Sequence, residues 1–183
     1  GLGSVSASDR AISLAFGRTL RDRISGGVSL KYLQSDLASE QASTFTGDLG
    51  LQYQSERYPN LRAGFAARNL FGSLTFDEAS DPLPRVYDLG LAYHQNLRNG
   101  TDYLRLSGGY SAPDDSDGFL KLGLEYAWYG RFFGRLGYNG GAEASDGFRF
   151  GLGMRTKRFQ VDLAMAPMGE LGTHQRLTLS YEF

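Results

Sequence analysis

The segment FLKLGLEYAW, residues 119–128, sets Leu120, Leu122, Leu124, Tyr126 and Trp128 at every second position, with Lys121, Gly123 and Glu125 between them. Successive side chains of an extended chain point to opposite faces, so this alternation specifies a strand with one apolar and one polar face and excludes a helix. The same period recurs along the chain and predicts about eleven strands, near 11–17, 24–32, 45–53, 61–68, 86–93, 104–110, 120–128, 131–138, 148–155, 159–165 and 177–183. No helical period competes with it, and no change of composition marks a second domain, so residues 1–183 read as one all-β domain.

The connections alternate in length. Short ones (RTLRDR, SERYP, QNLRNGT with the Asp102 that follows it, YG, and TK followed by Arg158) take turns with longer ones (QSDLASEQ, NLFGSLTFDEASDPLP, SAPDDSDG, NGGAEAS with the Asp146 that follows it, and APMGELGTH). Charge separates the two sets independently. The longer connections hold Asp36, Glu40, Asp77, Glu78, Asp81, Asp114, Asp115, Asp117, Glu143, Asp146 and Glu170 and no Lys or Arg. The shorter ones hold Arg18, Arg21, Arg23, Arg57, Arg98, Lys157 and Arg158 against Asp22, Glu56 and Asp102. Short turns on one rim and long loops on the other are the pattern of an antiparallel up-and-down outer-membrane β-barrel.

A soluble sandwich would bury its apolar faces, whereas a membrane barrel turns them to lipid. The polar faces favour the barrel. They are rich in Gly, which weakens exposed strands in water, and carry Lys31, Arg62, Arg68, Arg105, Lys121, Arg131, Arg135, Arg149, Arg155 and Arg176 with Asp48, Asp88, Glu125, Asp162 and Glu182. These become lumen charges, read as structural ladders of neighbouring opposite signs. The large aromatics fall at the strand ends: Tyr53, Tyr93, Trp128 and Phe183 toward the short-turn rim, and Tyr32, Tyr110, Tyr138 and Phe148 toward the other. Two aromatic girdles follow, at the depths where amphipathic rings prefer to lie. No stretch approaches the roughly 18–20 apolar residues of a membrane helix, which leaves strands as the spanning element.

The sequence is sparing with reactive chemistry. There is no cysteine, so thiolate catalysis, thiolate metal sites and disulfides are excluded. The net charge of −1 gives no reason to expect nucleic acid. His94 and His174 have no neighbour at a relay spacing and read as ordinary strand-end residues. The acidic runs 77–81 and 114–117 lack the spacing of a calcium loop and read as a solvated rim. Glycine pairs at 26–27, 108–109 and 140–141 open no helix, which excludes a phosphate-cradling role, so no cofactor is expected.

Several blocks resemble one family: GVSLKYL (27–33), GDLGLQYQ (47–54), LRAGFAARNLFG (61–72), LPRVYDLGLAYH (83–94), LGLEYAWYGRFFGRLGYNGG (122–141) and VDLAMAPMGELGTHQRLTLSYEF (161–183). Together they resemble the PorV/PorQ outer-membrane proteins, part of the wider group similar to FadL transporters. The resemblance implies a bacterial outer-membrane barrel of about fourteen strands, of which this chain supplies the C-terminal portion, without the family's N-terminal strands and lumen-filling segment. It also implies that Phe183 serves as an insertion signal. The function implied is non-enzymatic: an accessory component binding protein partners in a secretion or surface-attachment complex. The longest loop, with Phe71, Leu74, Phe76, Asp77, Glu78 and Asp81, is the expected partner surface. Two alternatives remain at this point, a FadL-like transporter with a hydrophobic ligand in its lumen and a purely structural scaffold.

Overall fold

The computed structural model describes residues 7–37, 40–76, 79–141, 147–167 and 172–182. Its strands are β1 (Ala7–Arg21), β2 (Ile24–Leu37), β3 (Glu40–Gln54), β4 (Leu61–Arg68), β5 (Ser73–Phe76), β6 (Ala79–Pro82), β7 (Val86–Leu97), β8 (Asp102–Pro113), β9 (Phe119–Trp128), β10 (Phe132–Asn139), β11 (Gly147–Arg155), β12 (Phe159–Pro167) and β13 (Thr173–Tyr181). Eleven of them form a single antiparallel sheet in chain order, β1-β2-β3-β4-β7-β8-β9-β10-β11-β12-β13, and β5 pairs with β6 in a separate hairpin. The eleven predicted strands are therefore present. The hairpin inside the longest loop is an addition, because its four-residue strands are too short for a periodic signal.

Strand ends differ from expectation at one set of connections. Pairing of β2 with β3 continues to Leu37 opposite Glu40, and pairing of β12 with β13 to Pro167 opposite Thr173. Most of QSDLASEQ and part of APMGELGTH are thus ladder. Polar side chains support the extension, since Ser35 Oγ donates to Asp9 Oδ1 at 2.7 Å and Ser8 Oγ to Asp36 Oδ2 at 3.3 Å. The short connections run from two to six residues, 22–23, 55–60, 98–101, 129–131 and 156–158. Between β9 and β10, Tyr129 and Gly130 have φ of 51° and 59°, and Arg131 N donates to Trp128 O at 3.0 Å. Two consecutive positive φ values close the turn, and Trp128 pairs with Phe132 across the three connecting residues.

The chain divides into two compact units. The first comprises Gly1–Tyr53, Gly64–Asp88 and Pro113–Ser116; the second Gln54–Ala63, Leu89–Ala112 and Asp117–Phe183. Each is inside-out by the standard of a protein in water. In the first unit Ile12, Leu14, Phe16, Val28, Leu30, Leu49 and Leu51 are exposed, while Ala42, Thr46 and Ala67 are buried. In the second, Leu120, Leu122, Leu124, Tyr126 and Trp128 of β9 are exposed, the intervening Lys121, Gly123 and Glu125 are half-buried, and Ala127 is completely buried. Among the described residues only four apolar side chains are buried, Ala42, Ala67, Ala127 and Phe133. Burying one Leu or Phe contributes roughly 1.5–3 kcal/mol, and this sheet withholds almost all of that within its own packing.

Candidate functional site

Charged residues of the polar faces come together in three groups. In the first unit, Lys31 Nζ lies 2.8 Å from Asp48 Oδ1 and donates to Asn69 Oδ1 at 2.9 Å. Asp48 also accepts from Ser29 Oγ at 2.8 Å and from Asn69 N at 3.0 Å. Asn69 itself sits at φ 54°, in the left-handed region that Asn tolerates better than most residues. It donates through Nδ2 to Pro84 O at 3.1 Å, so one side chain joins both ends of the longest loop to the Lys31–Asp48 pair. The chain beyond it is held too: Leu70 N donates to Gly47 O at 3.0 Å and Leu83 N to Gly72 O at 3.0 Å. Gly72 has φ 105°, and a side chain there would strike the carbonyl of Phe45. The second group is Arg68 Nε with Asp88 Oδ2 at 2.8 Å.

The third group, in the second unit, is the largest. Strand register sets Arg105 opposite Glu125 and Glu125 opposite Arg135. Glu125 accepts from Arg135 Nε at 2.6 Å and from Tyr103 Oη at 2.8 Å, and Arg105 Nη1 lies 3.4 Å away. Arg135 Nη1 also pairs with Asp162 Oδ1, which belongs to β12, two strands away. Gln160 Nε2 donates to the other oxygen of Asp162 at 2.5 Å, and Gln160 Oε1 accepts from Arg155 Nε at 2.8 Å.

Two aromatic rings form the floor. Tyr103, Ala127 and Phe133 stand in register on β8, β9 and β10, and the alanine between them leaves room for the rings to approach to 6.4 Å. Phe133 is only 2% exposed. The guanidinium carbons of Arg135 and Arg155 lie 5.2 and 4.9 Å from its ring centre, and that of Arg105 lies 5.5 Å from the Tyr103 ring. Cations over ring faces at such distances are attracted by the ring quadrupole. His94 extends the row, its ring centre 4.8 Å from that of Tyr103 and its Nε2 3.0 Å from Asn96 Oδ1. Gly153, opposite Phe133, is the clearance that lets the group close, since a Cβ there would lie 2.5 Å from Asp162 Oδ1 and 3.1 Å from Arg135 Nη1.

Of the remaining polar-face charges, Lys121 Nζ sits 4.9 Å from the Phe119 ring centre, and Arg149 stands opposite Gly137. Arg176 stands opposite Ala164 on the exposed strand β13, and Arg62 is exposed on β4; neither joins the cluster. On the apolar faces Tyr53, Tyr93, Tyr110, Trp128, Tyr138 and Phe148 are exposed and Tyr32 is half-exposed. Their rings pair across strands, Tyr32 with Phe45 at 5.1 Å and Tyr138 with Phe148 at 5.3 Å between centres. A shallow groove of about 500 Å³ lies on the apolar face of the second unit, with Leu91, Leu106, Leu122 and Leu136 in its lining.

In the longest loop, Phe71 is exposed, Leu74 stands opposite Asp81, and Phe76 ends β5. Asp77, Glu78 and Phe183 lie outside the described residues. Among the described residues no three His, Asp or Glu side chains are grouped as a metal site, and no helix is long and apolar enough to cross a membrane. The roles of Tyr103, Phe133, Gln160 and Asn69 escape the sequence pattern. The signal for Phe133 was the doublet Phe132-Phe133, where the second ring falls on a polar face. No protein-family model matches the chain, and no curated protein matches it.

Proposed function

We propose that this chain is part of the wall of a bacterial outer-membrane β-barrel and works without catalysis, as an accessory component that engages a protein partner in a secretion or surface-attachment complex. One observation carries the membrane part: in both compact units the large apolar side chains are exposed, and the charged residues sit on the less exposed face. Water does not favour so large a continuous apolar face, while hydrocarbon does, and backbone groups paired strand to strand satisfy the other demand of a bilayer. The groove on the apolar face is of a kind that acyl chains fill. The accessory role rests on the resemblance to PorV/PorQ, and the hairpin β5–β6 is its partner surface, held at its root by Asn69 and Gly72.

Expression behind an added secretion signal, followed by fractionation and carbonate washing of the membranes, tests the first part. The chain is expected to stay in the membrane fraction and to need detergent for release. Purification as a monodisperse species in buffer alone would refute it. For the second part, residues 73–82 are replaced by a two-residue link between Gly72 and Leu83, and partner co-purification is compared with the intact chain. Loss of the partner with retained membrane insertion is expected; unchanged co-purification removes the hairpin from the proposal.

A further inference from the structure

We propose that the arginine cluster of β8 to β12 is a binding site for a small oxyanion, a phosphate or carboxylate group, seated over the Tyr103–Phe133 rings. Three guanidinium groups, those of Arg105, Arg135 and Arg155, lie within 5.5 Å of the centres of these two rings. Among the described residues only two carboxylates accompany them, Glu125 and Asp162, so the group carries one positive charge in excess. The carboxylates also have little capacity left. Glu125 is engaged by Arg135, Tyr103 and Arg105, and Asp162 by Arg135 and Gln160.

What remains unfilled is donors. Among the described residues the Arg155 side chain makes one hydrogen bond, through Nε to the neutral amide oxygen of Gln160, and its Nη1 and Nη2 groups face an outside acceptor. Arg105 has an exposed side chain and holds Glu125 through one nitrogen at 3.4 Å. A planar guanidinium with two free parallel N–H groups matches the geometry of a carboxylate or phosphate edge, and stacking on a ring holds the plane in place beforehand. The contrast within the chain is informative: the first unit's polar-face cations are matched one to one, Lys31 by Asp48 and Arg68 by Asp88. The inference concerns the polar face alone and stands whatever medium covers the opposite one.

Calorimetric titration of the detergent-solubilised chain with inorganic phosphate, at constant ionic strength to fix screening, tests it. Saturable binding at one site is expected, with about ten-fold weaker affinity in Arg155→Gln and in Arg105→Gln, the loss of one charge-assisted hydrogen bond each, and no change in Arg18→Gln of β1. Circular dichroism verifies the sheet in every variant, and the two cluster variants stand in for one another should one fail to fold. Competition by glycerol phosphate assigns the site to free solutes, and competition only by lysophosphatidylglycerol assigns it to a lipid headgroup. Absence of saturable binding by the intact chain, or equal affinity in Arg155→Gln, Arg105→Gln and Arg18→Gln, overturns the proposal.

Discussion

Two residues show how much of this sheet depends on single atoms. Gly153 has no side chain because the Asp162–Arg135 pair and the Phe133 ring occupy the space a Cβ would take. Gly153→Ala therefore forces Asp162 off Arg135, and the expected cost is about 1–3 kcal/mol, that of overpacking, read from urea unfolding in detergent micelles. Asp102 is the buried acid among the described residues of the second unit, with 1% exposure. Its carboxylate accepts from Tyr126 Oη at 2.6 Å and from Tyr129 N at 2.9 Å, and so ties the start of β8 to the hairpin between β9 and β10. Asp102→Ala leaves both donors without their acceptor and is expected to lower the unfolding midpoint, more than Asp102→Asn, which keeps one acceptor oxygen. Neither role was legible in the sequence, where Gly153 is one of many strand glycines and Asp102 one acid among basic turns.

At the level of elements, the strands were legible because alternation is local: each residue's face follows from its own parity along the strand. The hairpin β5–β6 and its anchorage were not, since Asn69 acts through Lys31, Asp48 and Pro84, residues 38, 21 and 15 positions away. Asn69→Ala removes the amide's two hydrogen bonds and puts a less tolerant residue at positive φ. A loss of about 1–3 kcal/mol is expected, together with faster proteolysis within 70–83 while the sheet ladders persist, which limited chymotrypsin digestion would read at Phe71, Leu74 and Phe76. Uniform loss of protection across the sheet would show instead that the loop root holds more than the loop. The extended ladders of β1, β2 and β3, 15, 14 and 15 residues long, exceed the roughly 9–11 residues that cross a bilayer. On the proposed reading their excess length stands outside the hydrocarbon.

For the molecule as a whole, the question is which medium covers the apolar faces. Leu122 is 56% exposed in the middle of β9. In water, Leu122→Arg would be close to neutral, within about 0.5 kcal/mol, as exposed substitutions usually are. In a bilayer the same change costs about 2–4 kcal/mol near the midplane. Unfolding of the two chains in lipid vesicles, compared by urea titration, is expected to show the larger penalty. The partition of acids and bases between long and short connections belongs to this scale too, because it marks two sides of the sheet rather than any one residue.

From the sequence alone came the all-β class, the count of eleven sheet strands and the division of each strand into an apolar and a polar side, because those depend on neighbours two residues apart. The tertiary structure decided what meets across the ladders. Register set Tyr103, Ala127 and Phe133 side by side and brought Arg135 between Glu125 and Asp162. A shift of one residue in any of these pairings would turn the same side chains to the other face and disperse the cluster. Alternation is unchanged by a slip of two residues, a whole period, so the pattern could name the charges that share a face, and only the folded register could say which of them touch.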